Sequence, residues 1–98
     1  MRLLWTDLAE QDLESIGSYV ASVGHGKIAF DAVFDILNSV EAVLLAHPRA
    51  GRVGRVKGTR EWVVDGQSFV VIYRDNRLAG CVEILRIIHD SQQWPIRH

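Results

Sequence analysis

Three runs rich in β-branched and aromatic residues fill the C-terminal part of this chain, and charged side chains lie inside them. The first two runs, 60–64 and 67–74, are joined by Asp65-Gly66, which is a strong signal for a two-residue hairpin turn. A third run covers Cys81–His89, after a turn over 75–80. A charge within such a run must face solvent or find a partner, because burying it alone costs several kcal/mol. The pattern predicts a small sheet and directs the search for function to it.

Two segments before these runs have the spacing of amphipathic helices. Each repeats apolar residues at alternating steps of four and three, and Gly24-His25-Gly26 separates the two segments. The apolar series are Ala9, Leu13, Ile16, Val20 and Val23 in the first segment, and Ala29, Val33, Ile36, Val40 and Val43 in the second. Thr6 or Asp7 is the expected N-cap, with Asp7 and Glu10 spaced as a capping box. The second helix is expected to end before Pro48.

Arg2–Trp5 has the pattern of a further short strand, so the predicted element order is β-αα-βββ. The predicted fold class is α+β, with a helical hairpin packed on one face of a mostly antiparallel four-stranded sheet. Residues 48–58, rich in glycine and positive charge, are expected to form a loop. A chain of 98 residues is long enough for one compact core. Residues 1–98 are therefore expected to form a single domain.

The formal net charge of −1 conceals an uneven distribution of charge. Residues 1–47 hold two basic and seven acidic side chains, whereas residues 48–98 hold nine basic and five acidic ones. Five of the basic residues fall within twelve positions: Arg49, Arg52, Arg55, Lys57 and Arg60. Such a cluster suits an acidic partner, either nucleic acid or an acidic protein segment. The alternative is a solvated loop that keeps the domain soluble, and charge alone leaves both open.

Cysteine, histidine and hydropathy exclude several other classes of protein. The single Cys81 rules out an intramolecular disulfide, and its place in a β run indicates a small buried side chain. No apolar run approaches the ~18 residues of a membrane-spanning helix, and no signal-peptide pattern opens the chain, so a cytoplasmic protein is expected. His25, His47 and His98 are scattered without metal-ligand spacing. The sequence therefore predicts neither a metal nor another cofactor.

Three strings together carry a resemblance to a known family: Gly58-Thr59-Arg60-Glu61, Val71-Ile72-Tyr73-Arg74, and Ile84-Leu85-Arg86-Ile87-Ile88-His89 followed by Trp94-Pro95. In these strings and in its predicted element order, the chain resembles the RelE/ParE superfamily of bacterial toxins over nearly its whole length. The resemblance implies a toxin of a type II toxin–antitoxin module, with the first strand at an edge of the sheet. It also implies a cognate antitoxin of the RelB or ParD kind that wraps the toxin, in a complex that represses its own operon.

The resemblance implies one of two activities. RelE-like members cut mRNA in the ribosomal A site, whereas ParE-like members poison DNA gyrase and are not nucleases. We expect metal-independent mRNA cleavage on the ribosome, and gyrase inhibition is the alternative. A third hypothesis is an inactive toxin retained for operon repression. RNA cleavage needs a group that activates the 2′-hydroxyl, cations that stabilise the phosphorane and an acid for the leaving oxygen.

The residues expected to carry RNA cleavage are His89, Arg60 and Arg86. His89 ends the last strand, which matches the position where related nucleases have a catalytic histidine, and an imidazole ordinarily exchanges protons near neutral pH. Arg60 and Arg86 are expected to clamp phosphate through the guanidinium fork. The alternative for both arginines is a structural pair with Glu61 or Glu83.

Other positions are expected to bind nucleic acid or a protein target. They are Arg49, Arg52, Arg55 and Lys57 in the predicted loop, and Trp94 in the tail. The Trp94 ring can stack on a base or anchor an interface. One position departs from the nuclease pattern, because Val70 stands where RelE-like nucleases carry a catalytic arginine. The nearly neutral net charge also argues against tight binding to ribosomal RNA.

Overall fold

The computed structural model describes residues 2–22, 26–64 and 68–90, with side chains for 2–18, 31–64 and 68–90. In chain order the elements are β1 (Arg2–Trp5), α1 (Asp7–Ser22), α2 (Gly26–Ser39), β2 (Arg52–Val53), β3 (Arg60–Val63), β4 (Phe69–Asn76) and β5 (Cys81–His89). A π-helical turn, Val40–Leu44, follows α2 directly, and the helical region ends before Pro48 as predicted. The predicted break at Gly24-His25 and the predicted Asp65-Gly66 turn lie outside the described residues.

The five strands of the described residues form one sheet in the order β1-β5-β4-β3-β2. β1 lies at one edge, parallel to β5, and the other neighbours are antiparallel. The predicted α+β class is therefore confirmed, but the count of four strands is wrong. The additional strand, β2, lies within the predicted loop, where Arg52 pairs with Glu61 and Val53 with Arg60. Two residues are too few to show the alternation that predicts a strand.

Thr6 fixes the start of α1. Its hydroxyl oxygen accepts a hydrogen bond from the Ala9 N–H at 3.2 Å, and its hydroxyl group donates to the Ile84 carbonyl at 2.8 Å. Of the two predicted N-cap residues, Thr6 is therefore the one that satisfies a free amide at the start of the helix. The same side chain fastens the helix to β5.

The main core lies between the helical residues and one face of the sheet. Its buried members are Ala9, Ile36, Val40, Leu44, Val64, Val71, Tyr73, Val82, Ile84 and Ile87, with Leu13, Ile16 and Val43 packed against them. The predicted helical series is thus confirmed wherever side chains are described, with Val33 half-buried, whereas Val20, Val23 and Ala29 lie outside that description. A second, smaller cluster contains Val70, Ile72 and Ile88, with Leu85 packed against it. The alternation along β4 therefore separates two apolar layers, one on each face of the sheet.

A β-bulge in β5 determines which of its side chains reach the main core. The pairing of β4 with β5 shifts at Leu85, which has no partner of its own. Ile84 and Ile87 therefore both join the main core although they are three residues apart, while Leu85 packs against the second cluster. Strict alternation would place Arg86 on the same face as Ile84, and the bulge separates these two side chains.

Candidate functional site

The loop over residues 48–58, which we call the basic loop, is tied to the sheet by one buried tyrosine. The Tyr73 hydroxyl donates to the Pro48 carbonyl at 2.8 Å and accepts from the Gly51 N–H at 2.8 Å. Tyr73 is fully buried, and this burial raises the pKa of its hydroxyl group. A Cβ at Gly51 would stand only 2.7 Å from Tyr73 Cε1, so this position has room for glycine alone. The path of the basic loop is therefore fixed by the sheet.

A second anchor for the basic loop is the carboxylate of Glu61, a residue that is only 2% exposed. Arg52 donates from Nη2 to Oε1 at 2.9 Å, and Arg55 donates to Oε2 from its backbone N–H at 3.0 Å and from Nε at 3.2 Å. Burial raises the pKa of Glu61, but these hydrogen bonds and the positive charge of Arg55 outweigh burial and lower that pKa to about 2. Arg52 and Arg55 are thus structural partners of Glu61, although 61% and 52% of their side chains remain exposed.

The other basic residues of the predicted cluster are less constrained. Arg49 and Lys57 are exposed, and among the described residues neither side chain makes an ion pair or a hydrogen bond. Arg60, at the start of β3, donates from Nη1 to the Gly51 carbonyl at 2.8 Å. Arg49 and Arg60 line an open concavity of about 570 Å³. The structure therefore divides the cluster into residues held by Glu61 and residues facing this concavity or solvent.

Arg86 forms an ion pair with an acidic residue of α1. Its Nε lies 2.8 Å from Asp12 Oδ2 and its Nη2 lies 3.0 Å from Asp12 Oδ1, while the Ile87 N–H donates to Oδ2 at 2.9 Å. The hydrogen bonds to Asp12 raise the pKa of Arg86. Side-chain exposure is only 19% for Arg86 and 15% for Asp12, so this fork is largely filled. Arg86 therefore has a structural partner, but this partner is Asp12 and not Glu61 or Glu83, which the sequence suggested.

His89 ends β5 as predicted, with 45% of its side chain exposed. Its Nδ1 lies 3.2 Å from Asp90 Oδ1, and its ring meets Phe69 edge-on with ring centroids 5.7 Å apart. A neighbouring carboxylate can orient an imidazole for proton transfer. RNA cleavage would also require cations at the same phosphate.

The structure separates the three residues that were expected to act on one phosphate. Arg60 pairs with Tyr73 on β4, whereas His89 pairs with Phe69, four positions earlier on the same strand. At about 3.3 Å per residue, the Cα positions of Arg60 and His89 are offset by about 13 Å along the strands. The guanidinium of Arg86 is already bound by the carboxylate from α1. The three predicted residues therefore start from different places on the sheet, and one of them is already paired.

A smaller concavity, of about 370 Å³, lies over the second apolar cluster. Its apolar lining includes Val63, Val70 and Ile88, and its charged lining consists of Arg52, Arg55, Glu61 and Asp90. Val70, which replaces the expected catalytic arginine, is 3% exposed. The two arginines here already bind Glu61, and the two positive and two negative formal charges cancel. Both cations of this concavity therefore pair with Glu61, and its described lining has no surplus of positive charge for a phosphate.

Several expectations concern other parts of the chain. Trp94, His25 and His98 lie outside the described residues. Cys81 is a buried free thiol, as its place in the β run predicted. Within residues 2–22, 26–64 and 68–90, no group of three or more His, Cys, Asp or Glu residues is arranged to hold a metal ion. None of the described helices has the length and apolar character needed to cross a membrane.

Three charged residues that shape polar sites had no role predicted from the sequence, namely Asp12, Arg74 and Arg77. Asp12 binds a partner 74 positions away, which local spacing cannot reveal. Arg74 and Arg77 line the same concavity as Arg49 and Arg60. From the sequence, Arg74 and Arg77 could be placed at the end of the β4–β5 hairpin. Only the pairing of β3 with β4 shows that this end lies beside the basic loop.

Comparison with known proteins identifies a family, a relative and solved structures to which this chain is similar. Residues 3–94 match the family described as the ParE toxin of the type II toxin–antitoxin system parDE. A candidate toxin of Sinorhizobium fredii, Y4kP, is 38% identical over 94 residues, which cover 96% of this chain and 93% of that protein. A structure from the chromosomal ParDE system of P. aeruginosa has a TM-score of 0.80 at 30% identity, covering 91% of this chain and 95% of that one. The RelBE2 toxin–antitoxin complex from Mycobacterium tuberculosis, at 20% identity, a TM-score of 0.64 and coverage of 90% and 88%, shares the fold.

Proposed function

This chain belongs to the ParE family of toxins from type II toxin–antitoxin systems, and we propose that it arrests growth by binding DNA gyrase rather than by cutting RNA. The superfamily resemblance drawn from the sequence is confirmed by this membership. The choice of target is our proposal. It reverses the order of the two activities that the sequence suggested, and it includes a cytoplasmic location, where gyrase acts.

The observation that carries the proposal is the separation of His89, Arg60 and Arg86. Metal-independent RNA cleavage requires a proton acceptor, a proton donor and phosphate-binding cations within hydrogen-bond reach of one phosphodiester. Here Arg60 and His89 are offset along the sheet, and Arg86 is held by Asp12. A toxin that acts by binding needs no such convergence.

The apolar concavity at Val70 supports the same conclusion. In RelE-like nucleases this strand position supplies a catalytic arginine, whereas here Val63, Val70 and Ile88 line the surface. A valine offers neither a proton nor a positive charge to a phosphorane. Val70 and Ile88 are buried, so the accessible lining is Val63 together with paired charges, and such a mixed surface is suited to contact with another protein.

We also propose a cognate antitoxin of the ParD kind as partner. The two solved neighbours come from a ParDE toxin–antitoxin system and from a RelBE2 toxin–antitoxin complex, and the first of them is 30% identical to this chain. Membership in the ParE family supports the same kind of pairing. An adjoining reading frame for a small antitoxin is therefore expected.

The target can be tested with two parallel reactions. Purified toxin is titrated into a supercoiling reaction containing gyrase, ATP and relaxed plasmid, and the same amounts are added to ribosomes translating a defined mRNA. We expect supercoiling to fall as toxin is added, while primer extension shows intact mRNA. Toxin premixed with its antitoxin provides the negative control in both reactions.

His89→Ala provides the matched variant. Because His89 is not part of an assembled catalytic group, the variant is expected to retain both growth arrest and gyrase inhibition, with the far-ultraviolet circular dichroism of the parent chain. Normal supercoiling at a molar excess of toxin, together with mRNA cleavage that His89→Ala abolishes, would refute the proposal and identify a ribonuclease.

A further inference from the structure

The concavity of about 570 Å³ lies between the basic loop and the hairpin end of β4 and β5, and we call it the arginine groove. The lining side chains that determine its chemistry are Arg49, Arg60, Arg74, Arg77, Val53 and Leu78. Asp75 is the single acidic residue among the described residues of the lining. Four guanidinium groups against one carboxylate give the groove a surplus of positive charge, although the whole chain carries a formal net charge of −1.

Two of the four guanidinium groups are available to a ligand. Arg49 makes no side-chain hydrogen bond or ion pair among the described residues, and it is exposed. Arg74 is 46% exposed in its side chain, and its Nη1 lies 3.9 Å from Glu83 Oε1. That separation is too long for a hydrogen bond. The carboxylate of Glu83 instead accepts a hydrogen bond from the Asn76 side chain at 2.8 Å.

The other two guanidinium groups are oriented by the protein but are not filled. Arg60 donates from Nη1 to the Gly51 carbonyl at 2.8 Å, and Arg77 donates from Nε to Asp75 Oδ2 at 3.1 Å. A guanidinium has five N–H donors, so each group retains donors for a ligand. Because these contacts restrict both side chains in advance, less conformational entropy is lost when an anion binds.

Apolar side chains line the same groove. Leu78 is fully exposed in the β4–β5 turn, and Val53 on the edge strand β2 is 78% exposed. A ligand lying in the groove would meet these apolar groups and the guanidinium groups together. We propose that the arginine groove binds an acidic peptide segment of a partner protein, whose carboxylates pair with the arginines while one apolar side chain packs against Leu78 and Val53.

A peptide fits this groove better than a nucleic acid. A phosphodiester backbone has only acceptor oxygens, and it would meet the carboxylate of Asp75, which the groove places among its arginines. The Asp75 side chain is only 11% exposed, and its Oδ1 is buried out of reach of a ligand. A peptide can pass its uncharged backbone beside this carboxylate and present its acidic side chains to the arginines. A chain with a formal net charge of −1 also lacks the overall positive charge that draws proteins to phosphate polymers. The inference extends beyond the proposed function and does not require gyrase as the target.

Binding can be measured by fluorescence anisotropy with a labelled ten-residue peptide that alternates Glu and Asp around one central Leu. We expect saturable binding that weakens as salt rises. Arg49→Gln/Arg74→Gln, which removes the two available guanidinium groups, is expected to weaken binding at least about tenfold. Leu78→Ser is expected to weaken it about fivefold, because the apolar contact is lost. Both substitutions are on exposed side chains, and the urea midpoint should stay that of the parent chain.

The matched control is Arg2→Gln, which removes one positive charge from an exposed residue of β1, at the opposite edge of the sheet from β2. It should leave peptide affinity unchanged, and a peptide with Ser in place of Leu should bind the parent chain about fivefold more weakly. Equal affinities for Arg2→Gln and Arg49→Gln/Arg74→Gln would overturn the proposal. So would a single-stranded oligonucleotide of equal charge that binds more tightly and shows the same loss in Arg49→Gln/Arg74→Gln. Supercoiling inhibition is measured separately, so failure of the groove does not imply failure of the gyrase target.

Discussion

Replacing Glu61 by glutamine removes a negative charge on which two arginines of the basic loop depend. Glutamine keeps the shape of the side chain and one acceptor oxygen. In the parent chain both carboxylate oxygens accept hydrogen bonds from guanidinium groups, and the NH₂ group of glutamine cannot accept one. The carboxylate has a pKa of about 2 in the folded chain, against 4.5 for an ordinary glutamate. At about 1.4 kcal/mol for each tenfold change in an equilibrium constant, this difference corresponds to about 3 kcal/mol of stability at neutral pH.

The dependence on pH distinguishes the charge from the packing of the side chain. Between pH 4.5 and about 2 the unfolded chain binds a proton at Glu61 that the folded chain does not bind, so acid removes this part of the stability. The difference in unfolding free energy between the parent chain and Glu61→Gln should be constant above about pH 5.5 and should narrow by about 2 kcal/mol from pH 7 to pH 3. Glu61→Gln does not titrate at this position.

The measurement is urea unfolding of both chains, followed by tryptophan fluorescence, at several values of pH from 3 to 7. Glu83→Gln is the matched control, because Glu83 lies 3.9 Å from Arg74 and can keep its hydrogen bond with Asn76 as an amide. This control should lose less than about 1 kcal/mol. If the difference in unfolding free energy between the parent chain and Glu61→Gln is the same at pH 3 and pH 7, the role assigned to the charge is refuted.

Two further substitutions test the other anchors of the fold. Asp12→Ala leaves the Arg86 guanidinium and the Ile87 N–H without their partner in a largely buried site, and it should destabilise the chain by about 3 kcal/mol in urea unfolding, with Glu14→Ala on the exposed side of α1 as control. A loss below 1 kcal/mol would contradict a structural role for this pair. Tyr73→Phe removes the hydroxyl that holds the basic loop, and it should cost about 1–3 kcal/mol while leaving far-ultraviolet circular dichroism unchanged. An unchanged urea midpoint would show that the loop is held without it.

Local patterns were sufficient to predict the helices and the long strands. The apolar repeat of α1 and α2 and the unbroken apolar run of β4 reflect burial that each segment shows by itself. The range predicted for β5, Cys81–His89, is the range that the structure has. β2 was missed because it exists only through pairing with β3, and two residues carry no periodicity.

The candidate site was less predictable, because its residues come together through long-range pairing. The sequence showed that Arg86 would need a partner, but the partner is an aspartate on a helix formed 74 residues earlier. It also showed a cluster of positive charge, without showing that Glu61 binds Arg52 and Arg55. Local charge density therefore predicted a cationic surface, whereas the number of guanidinium groups available to a ligand depends on the strand register.

The bond between Tyr73 and Gly51 makes the basic loop part of the cooperative unit of the sheet. An amide hydrogen held by a fully buried acceptor exchanges with solvent only when the surrounding structure opens, so Gly51 should exchange as slowly as the interior strands. The backbone path of the basic loop is determined by the buried phenol group of Tyr73 and not by the loop's exposed side chains. Relatives of this chain can therefore acquire different charges at the outward positions 49 and 57 on an unchanged platform, and a new specificity need not alter the fold.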